Sequence, residues 1–210
     1  MAHADPWFES LQSALAALLD LLEQTGVEAA IIGGIAASTR GEPRLTADID
    51  ATAALDSDEL DHFVATAAGR GFSTRIGDAP AFARRNRVLL LRHDASGVGI
   101  DLGLAGLAFE FEAIERAEWF DLHGLNVPIV TAEDLLVMKA VAHRPQDLID
   151  IAEVLNSNPG LGLERVRAYV REFAAIVEEP GIVETLERLI AEHEATRRRD
   201  AENRPPDALS

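Results

Sequence analysis

Ile31-Ile32-Gly33-Gly34-Ile35-Ala36-Ala37-Ser38-Thr39-Arg40-Gly41-Glu42-Pro43-Arg44-Leu45-Thr46-Ala47-Asp48-Ile49-Asp50-Ala51-Thr52 is the stretch on which the reading of this chain turns. Val27 to Ile32 is short, apolar and partly β-branched, which predicts a buried strand. Gly33 and Gly34 break it, and Ile35 to Thr39 forms a short helix before Gly41 and Pro43. Leu45 to Thr52 then alternates. Leu45, Ala47, Ile49 and Ala51 share one face, and Thr46, Asp48, Asp50 and Thr52 share the other, as in a strand with one buried and one polar side. Asp48 and Asp50 therefore project from the same face, with Cα atoms about 6.6 Å apart. Two like charges so placed oppose each other's ionisation unless a cation lies between them. Magnesium takes hard oxygen ligands, often one or two carboxylates together with substrate phosphates. Asp-x-Asp alone is a weak signal, because it also describes an ordinary solvated strand face.

Working outward, Arg87 to His93 reads as a strand, Asp94-Ala95-Ser96-Gly97 as a turn, and Val98 to Leu102 as the return strand of a hairpin. Asp101 lies on that return strand. If it runs beside the Asp48–Asp50 strand, a third carboxylate joins the pair, and three acids on adjacent strands suit one or two divalent ions and an in-line phosphoryl displacement. The glycine pair lets backbone N–H groups approach a phosphate closely, and a helix N-terminus favours an anion. Ser38 and Thr39 can donate to phosphate, and Arg40 and Arg44 lie near enough in sequence to contact phosphate or an acceptor. Arg84, Arg85, Arg87 and Arg92 form the dense basic cluster of the first half, suited either to an acceptor groove or to a solvated strand face.

The flanking sequence sets the frame. Asp5-Pro6 reads as a cap and first turn, followed by Trp7, Phe8, Leu11, Leu15, Leu18, Leu19 and Leu22 at helical spacing. Asp56 to Arg70 is an amphipathic helix, Phe72 to Ile76 a strand, and Leu107 to Ala117 a helix. Trp119 to Leu122 and Leu125 to Val130 form a second hairpin about His123-Gly124. Thr131 and Asp134 form a capping box ahead of Leu135, Leu136, Met138 and Val141. Helices follow over Gln146 to Leu155, Leu163 to Val177 and Ile182 to Arg197. The domain reading is 1–130 as the α/β core with its N-terminal helix, 131–197 as a helical region, and 198–210 as a polar tail that is expected to fray. Asp147 and Asp150 share a helical face, where they either position Lys139 or Arg144 or serve the start of a helix after Pro145.

Composition narrows the classes. The 210 residues carry 36 acidic and 19 basic side chains, for a net charge of −17, which argues against a broad non-specific nucleic-acid surface. At 48% hydrophobic the chain can bury a core, and no apolar run is long enough to span a bilayer. The absence of cysteine excludes disulfides, thiolate metal sites and cysteine nucleophiles. Together with an N-terminus lacking the regions of a signal peptide, it leads us to expect a cytoplasmic protein.

Gly33-Gly34, then Arg44-Leu-Thr-Ala-Asp48-Ile-Asp50, then Asp101 resembles the nucleotidyltransferase superfamily with the DNA-polymerase-beta-like fold. The run from Thr131 through Lys139 and Arg144 to Asp150 is similar to a segment of its abortive-infection toxin-like branch and of small antibiotic nucleotidyltransferases, so the resemblance spans roughly residues 27 to 155. It implies an α+β fold: a mixed-sheet nucleotidyltransferase-like core with flanking helices, followed by a C-terminal helical bundle. It implies an enzyme that moves a nucleoside monophosphate from a nucleoside triphosphate such as ATP to a hydroxyl acceptor, with magnesium or manganese and release of pyrophosphate. Asp48, Asp50 and Asp101 would be the catalytic and metal-binding acids. Gly33, Gly34, Ser38, Arg44, Lys139 and Arg144 would bind nucleotide, with Lys139 neutralising triphosphate charge. Where the family often carries a serine at the second turn position this chain has Gly34, so backbone N–H groups or Ser38 take over. The acceptor is a small molecule, a protein or an RNA end. The alternative readings are a non-catalytic nucleotide-binding or regulatory protein on the same fold, or one component of a toxin–antitoxin pair with a protein partner.

Overall fold

The structure, a computed structural model, describes residues 6–202. Two compact units are distinguished. One comprises the residues up to Ser38 together with Arg44–Thr131, and the other Thr39–Pro43 together with the residues from Ala132 onward.

The first unit is built on a seven-stranded mixed sheet, β3-β4-β5-β2-β1-β7-β6 in spatial order. Its strands are β1 (Ala29–Ile31), β2 (Ile49–Ala53), β3 (Phe72–Thr74), β4 (Val88–His93), β5 (Gly99–Leu104), β6 (Glu118–Leu122) and β7 (Leu125–Ile129). β2 runs antiparallel to β1 and parallel to β5, and β1 is parallel to β7. The hairpins β4–β5 and β6–β7 are both antiparallel, as their turn residues require. Alternation decides which face is buried: Ile100, Leu102 and Leu104 of β5 and Ile49, Ala51 and Ala53 of β2 are all in the core. Helix α1 (Pro6–Thr25) buries a stripe at Ala14, Leu15, Leu18, Leu21 and Leu22 and packs on α3 (Leu60–Ala68), while α5 (Ala108–Glu115) lies against β1 and β2. The fold is therefore α+β, with a mixed sheet followed by helices.

Several boundaries differ from the sequence reading. The strand expected from Leu45 begins only at Ile49, so Asp48 immediately precedes the strand rather than lying on it. The alternation before it is not one of burial. Leu45 is 77% exposed, and the Thr46 hydroxyl donates to the Asp48 carbonyl at 3.3 Å, a local turn that competes with strand pairing. The strand ends before Gly33 and Gly34 as expected, but α2 (Gly33–Arg40) begins at the glycine pair rather than at Ile35. Helix α4 (Ala79–Asn86) was not anticipated. Its signal is present in Asp78-Ala79-Pro80, where the Asp78 carboxylate accepts from Ala81 N at 3.3 Å.

The second unit contains α6 (Ala132–Ala142), α7 (Pro145–Ser157), α8 (Leu163–Ile176) and α9 (Gly181–Glu202). α9 continues past Arg197. Residues 203–210 of the expected tail, and the Asp5 cap, lie outside the described residues. No described helix is long and apolar enough to cross a membrane. α6 is packed by all three of its neighbours and is buried nearly all round, including two charged side chains, which must find partners. Asp134 is fully buried and pairs with Arg165 of α8. The Lys139 ammonium lies 2.8 Å from Asp147 and 2.6 Å from Asp150, both on α7, and Gln146 donates to Asp150 at 3.0 Å. The Asp147 carboxylate also accepts from the Arg144 backbone N–H at 3.2 Å, capping α7. Replacing Lys139 by Met would leave two buried carboxylates facing each other, a change that costs about 3–5 kcal/mol when one partner of a buried pair is removed. Urea unfolding of Lys139→Met should show that loss, whereas an unchanged midpoint would free Lys139 from this structural role.

Candidate functional site

Three strand ends meet at one edge of the sheet: the C-terminal end of β1 and the N-terminal ends of β2 and β5. Ile32 N donates to Asp50 O at 2.9 Å, which carries the β1–β2 pairing up to the glycine turn. In the parallel register Asp50 is the direct partner of Asp101, so their side chains leave the same face with backbones about 4.8 Å apart. Ile49 pairs with Ile100, which sets Asp48 beside Gly99, two residues before Asp101 on that face.

Two glycines make the room. Gly33 has φ +62°, in the left-handed region, and a Cβ there would meet Asp50 Cγ at 2.5 Å and Cβ at 2.6 Å. A Cβ on Gly99 would lie 2.6 Å from Asp48 Oδ1 and 3.1 Å from Arg75 Nη1. Each carboxylate of the Asp-x-Asp pair is thus seated against a residue that has no side chain. The glycine turn opens α2, whose first N–H groups have no acceptor within the helix and point toward the end where Asp50 lies. A Cβ on Gly34 would collide with Thr46, and Arg44 Nη2 lies 3.5 Å from the same point, so Gly34, Thr46 and Arg44 form one wall.

Arg75, which the sequence reading missed, completes the cluster. Its backbone N–H bonds to Leu90 O at 3.0 Å, and Leu90 pairs with Asp101, so Arg75, Leu90, Asp101 and Asp50 form one row across the sheet. Its guanidinium donates through Nη2 to Asp101. The signal in the sequence is the alternation from Phe72, which places Ser73 and Arg75 on the polar face.

Carboxylate oxygens on adjacent strands are the donors a hard divalent ion takes, and the helix N-terminus beside them suits an anion such as a phosphate. The described residues hold no ready-made group of three His, Asp or Glu side chains closed on one point. The Asp101 carboxylate is engaged by Arg75.

The other expected site residues fall as follows. Ser38 donates to Arg44 O at 3.1 Å and accepts from Arg44 N at 3.3 Å, so its hydroxyl fastens the loop after α2. Arg40 is buried, and its carbonyl accepts from the Asn158 amide. Lys139 belongs to the buried ion cluster of the helical unit, and Arg144 is exposed at the start of α7. The basic cluster separates. Arg84 pairs with Asp61, Arg87 donates to the carbonyls of Leu104 and Ala105, and Arg92 is exposed opposite Gly99.

Residues 11–190 match a family model described as "Nucleotidyl transferase of unknown function (DUF2204)". No curated protein matches the chain. Among solved structures, the chain is similar to an antigenic nucleotidyltransferase-like protein from Paracoccidioides brasiliensis, at 15% identity and TM-score 0.52 over 85% of this chain and 93% of that one. It is also similar to the antibiotic-resistance factor ANT(2'')-Ia, solved in complex with adenylyl-2''-tobramycin, at 18% identity and TM-score 0.54 over 79% of this chain and 97% of that one. Its solution structure matches at 17% identity and TM-score 0.55, over 80% and 94% of the two chains. These likenesses are of fold.

Gly33→Ala tests the seat of Asp50. The left-handed backbone alone costs a non-glycine residue about 1–2 kcal/mol, and the added methyl must also push the carboxylate aside. Thermal unfolding should show the loss, and divalent-ion binding should weaken with it. Wild-type behaviour in both measurements would mean the turn tolerates a side chain.

Proposed function

The chain belongs to this nucleotidyl transferase family, and from that premise we propose that it transfers a nucleoside monophosphate from a nucleoside triphosphate to a hydroxyl acceptor, releasing pyrophosphate. The observation that carries the reading is the register of Asp50 with Asp101 beside the Gly33 turn. Asp48, Asp50 and Asp101 would hold magnesium, whose charge draws the triphosphate oxygens into place and stabilises the charge that develops on them. The first-turn N–H groups of α2 receive phosphate oxygens at the glycine pair, where the absence of side chains lets the backbone come close. Arg44, on the wall beside Gly34, supplies a cation to the same phosphates. The acceptor oxygen attacks the α-phosphorus, the bond from that phosphorus to the bridging oxygen of the leaving pyrophosphate breaks, and Asp101 takes the acceptor's proton. Positioning and charge neutralisation supply most of the rate in such a transfer. The adenylyl-tobramycin bound by one fold relative makes ATP the first donor to test and a small polyhydroxylated molecule the first acceptor.

Asp101→Asn separates transfer from simple nucleotide binding. It should keep nucleotide affinity within a few-fold while lowering single-turnover transfer by about 10²–10⁴, the contribution of a positioned base. Pyrophosphate release with each of the four triphosphates, with and without magnesium, supplies the assay. Transfer by Asp101→Asn at the parent rate would make that carboxylate structural. Nucleotide binding by the parent with no release under any condition would favour a nucleotide-binding regulator on this fold.

A further inference from the structure

Arg75 is a cation already lodged among the acids that the proposed function assigns to a metal. Its Nη2 is bonded to Asp101, and its Nη1 and Asp48 Oδ1 both lie within about 3 Å of one point beside Gly99, at 3.1 and 2.6 Å. Asp50 is the register partner of Asp101. A single guanidinium thus stands beside Asp101 and Asp48, two carboxylates that share a sheet face with Asp50 and would otherwise repel one another. Its fit is incomplete. The Arg75 Nε is buried and has no hydrogen-bond partner, although a settled buried arginine ordinarily satisfies every donor. The side chain is still 24% exposed, so it has solvent to move into.

We propose that Arg75 is the resident counter-ion of this carboxylate site, and that it competes with a divalent ion for Asp101. The site is then closed to a bare ion, which must displace a charge-assisted ion pair. It opens to an ion that arrives on a triphosphate, because the phosphate charge offers the released guanidinium a new partner. Arg75 acts through Asp101 and so is a positioning residue. The inference rests on the reading of Asp48, Asp50 and Asp101 as an ion site, and its test keeps the two apart.

The test is binding of manganese alone to the nucleotide-free chain, followed by the paramagnetic signal of free Mn²⁺. Arg75→Met keeps the apolar stem and removes the charge, and it should bind Mn²⁺ about tenfold tighter than the parent, within the ordinary range of coupling between two sites. Arg75→Lys pairs less well with a carboxylate and should fall between the two. In an Asp101→Asn background Arg75→Met should have no further effect, since the contested oxygen is gone. Melting temperatures identify a variant that fails to fold, in which case Arg75→Lys alone decides the sign. Equal or weaker Mn²⁺ binding by folded Arg75→Met, with Asp50→Asn still abolishing it, overturns the counter-ion role and leaves the acid site standing. Mn²⁺ binding that is indifferent to both Asp50→Asn and Asp101→Asn overturns both.

Discussion

Parallel pairing of β2 with β5, in the register that sets Asp50 against Asp101, is the constraint on which the rest of the site depends. A shift by one residue would send either carboxylate to the opposite face. The apolar residues around them prevent it: Ile49 and Ile100, and Ala51 and Leu102, are register partners and are all fully buried. The core thus fixes the position of the acids without touching them. Once they are side by side, two like charges need compensating positive charge, and the fold offers the Arg75 guanidinium and the N-terminus of α2.

Space is as much a part of the site as charge. Gly33 and Gly99 each leave out the one side-chain atom that would occupy a carboxylate's place, and Gly34 does the same for Thr46. Gly33 serves a second purpose, because its positive φ turns the end of β1 directly into α2. A side chain at position 34 would collide with Thr46. The hydroxyl nearest in sequence, Ser38, is engaged with the Arg44 backbone, which holds the arginine loop in place. In the proposed reaction, phosphate recognition would draw on backbone N–H groups of the glycine turn and on Arg44.

Much of this was legible in the sequence, for physical reasons. The Asp94–Gly97 turn signalled the β4–β5 hairpin and so placed Asp101 on a strand, and Asp48-x-Asp50 marked the polar face. Other features were not. The alternation from Leu45 to Asp48 mimicked a strand because period two in sequence does not report burial, and Leu45 is solvent-exposed. For Lys139 the sequence offered Asp147 and Asp150 as partners but left open whether they position Lys139 or Arg144 or serve the start of a helix after Pro145. The two acids that take it lie on the next helix, at Asp147 and Asp150, and only the packing of α6 against α7 brings them together. Arg75 was hidden for the same reason: its link to Asp101 crosses β4, a pairing that sequence separation does not announce.

The most direct measurement is the anomalous scattering of Mn²⁺ in crystals soaked with manganese and a non-hydrolysable ATP analogue. A peak bridged by the carboxylates of Asp50 and Asp101, with the analogue's phosphates at the Gly33–Gly34 turn and the Arg75 guanidinium off Asp101, is the predicted result. A nucleotide bound elsewhere, or manganese absent from the two acids while Arg75 stays on Asp101, would contradict it.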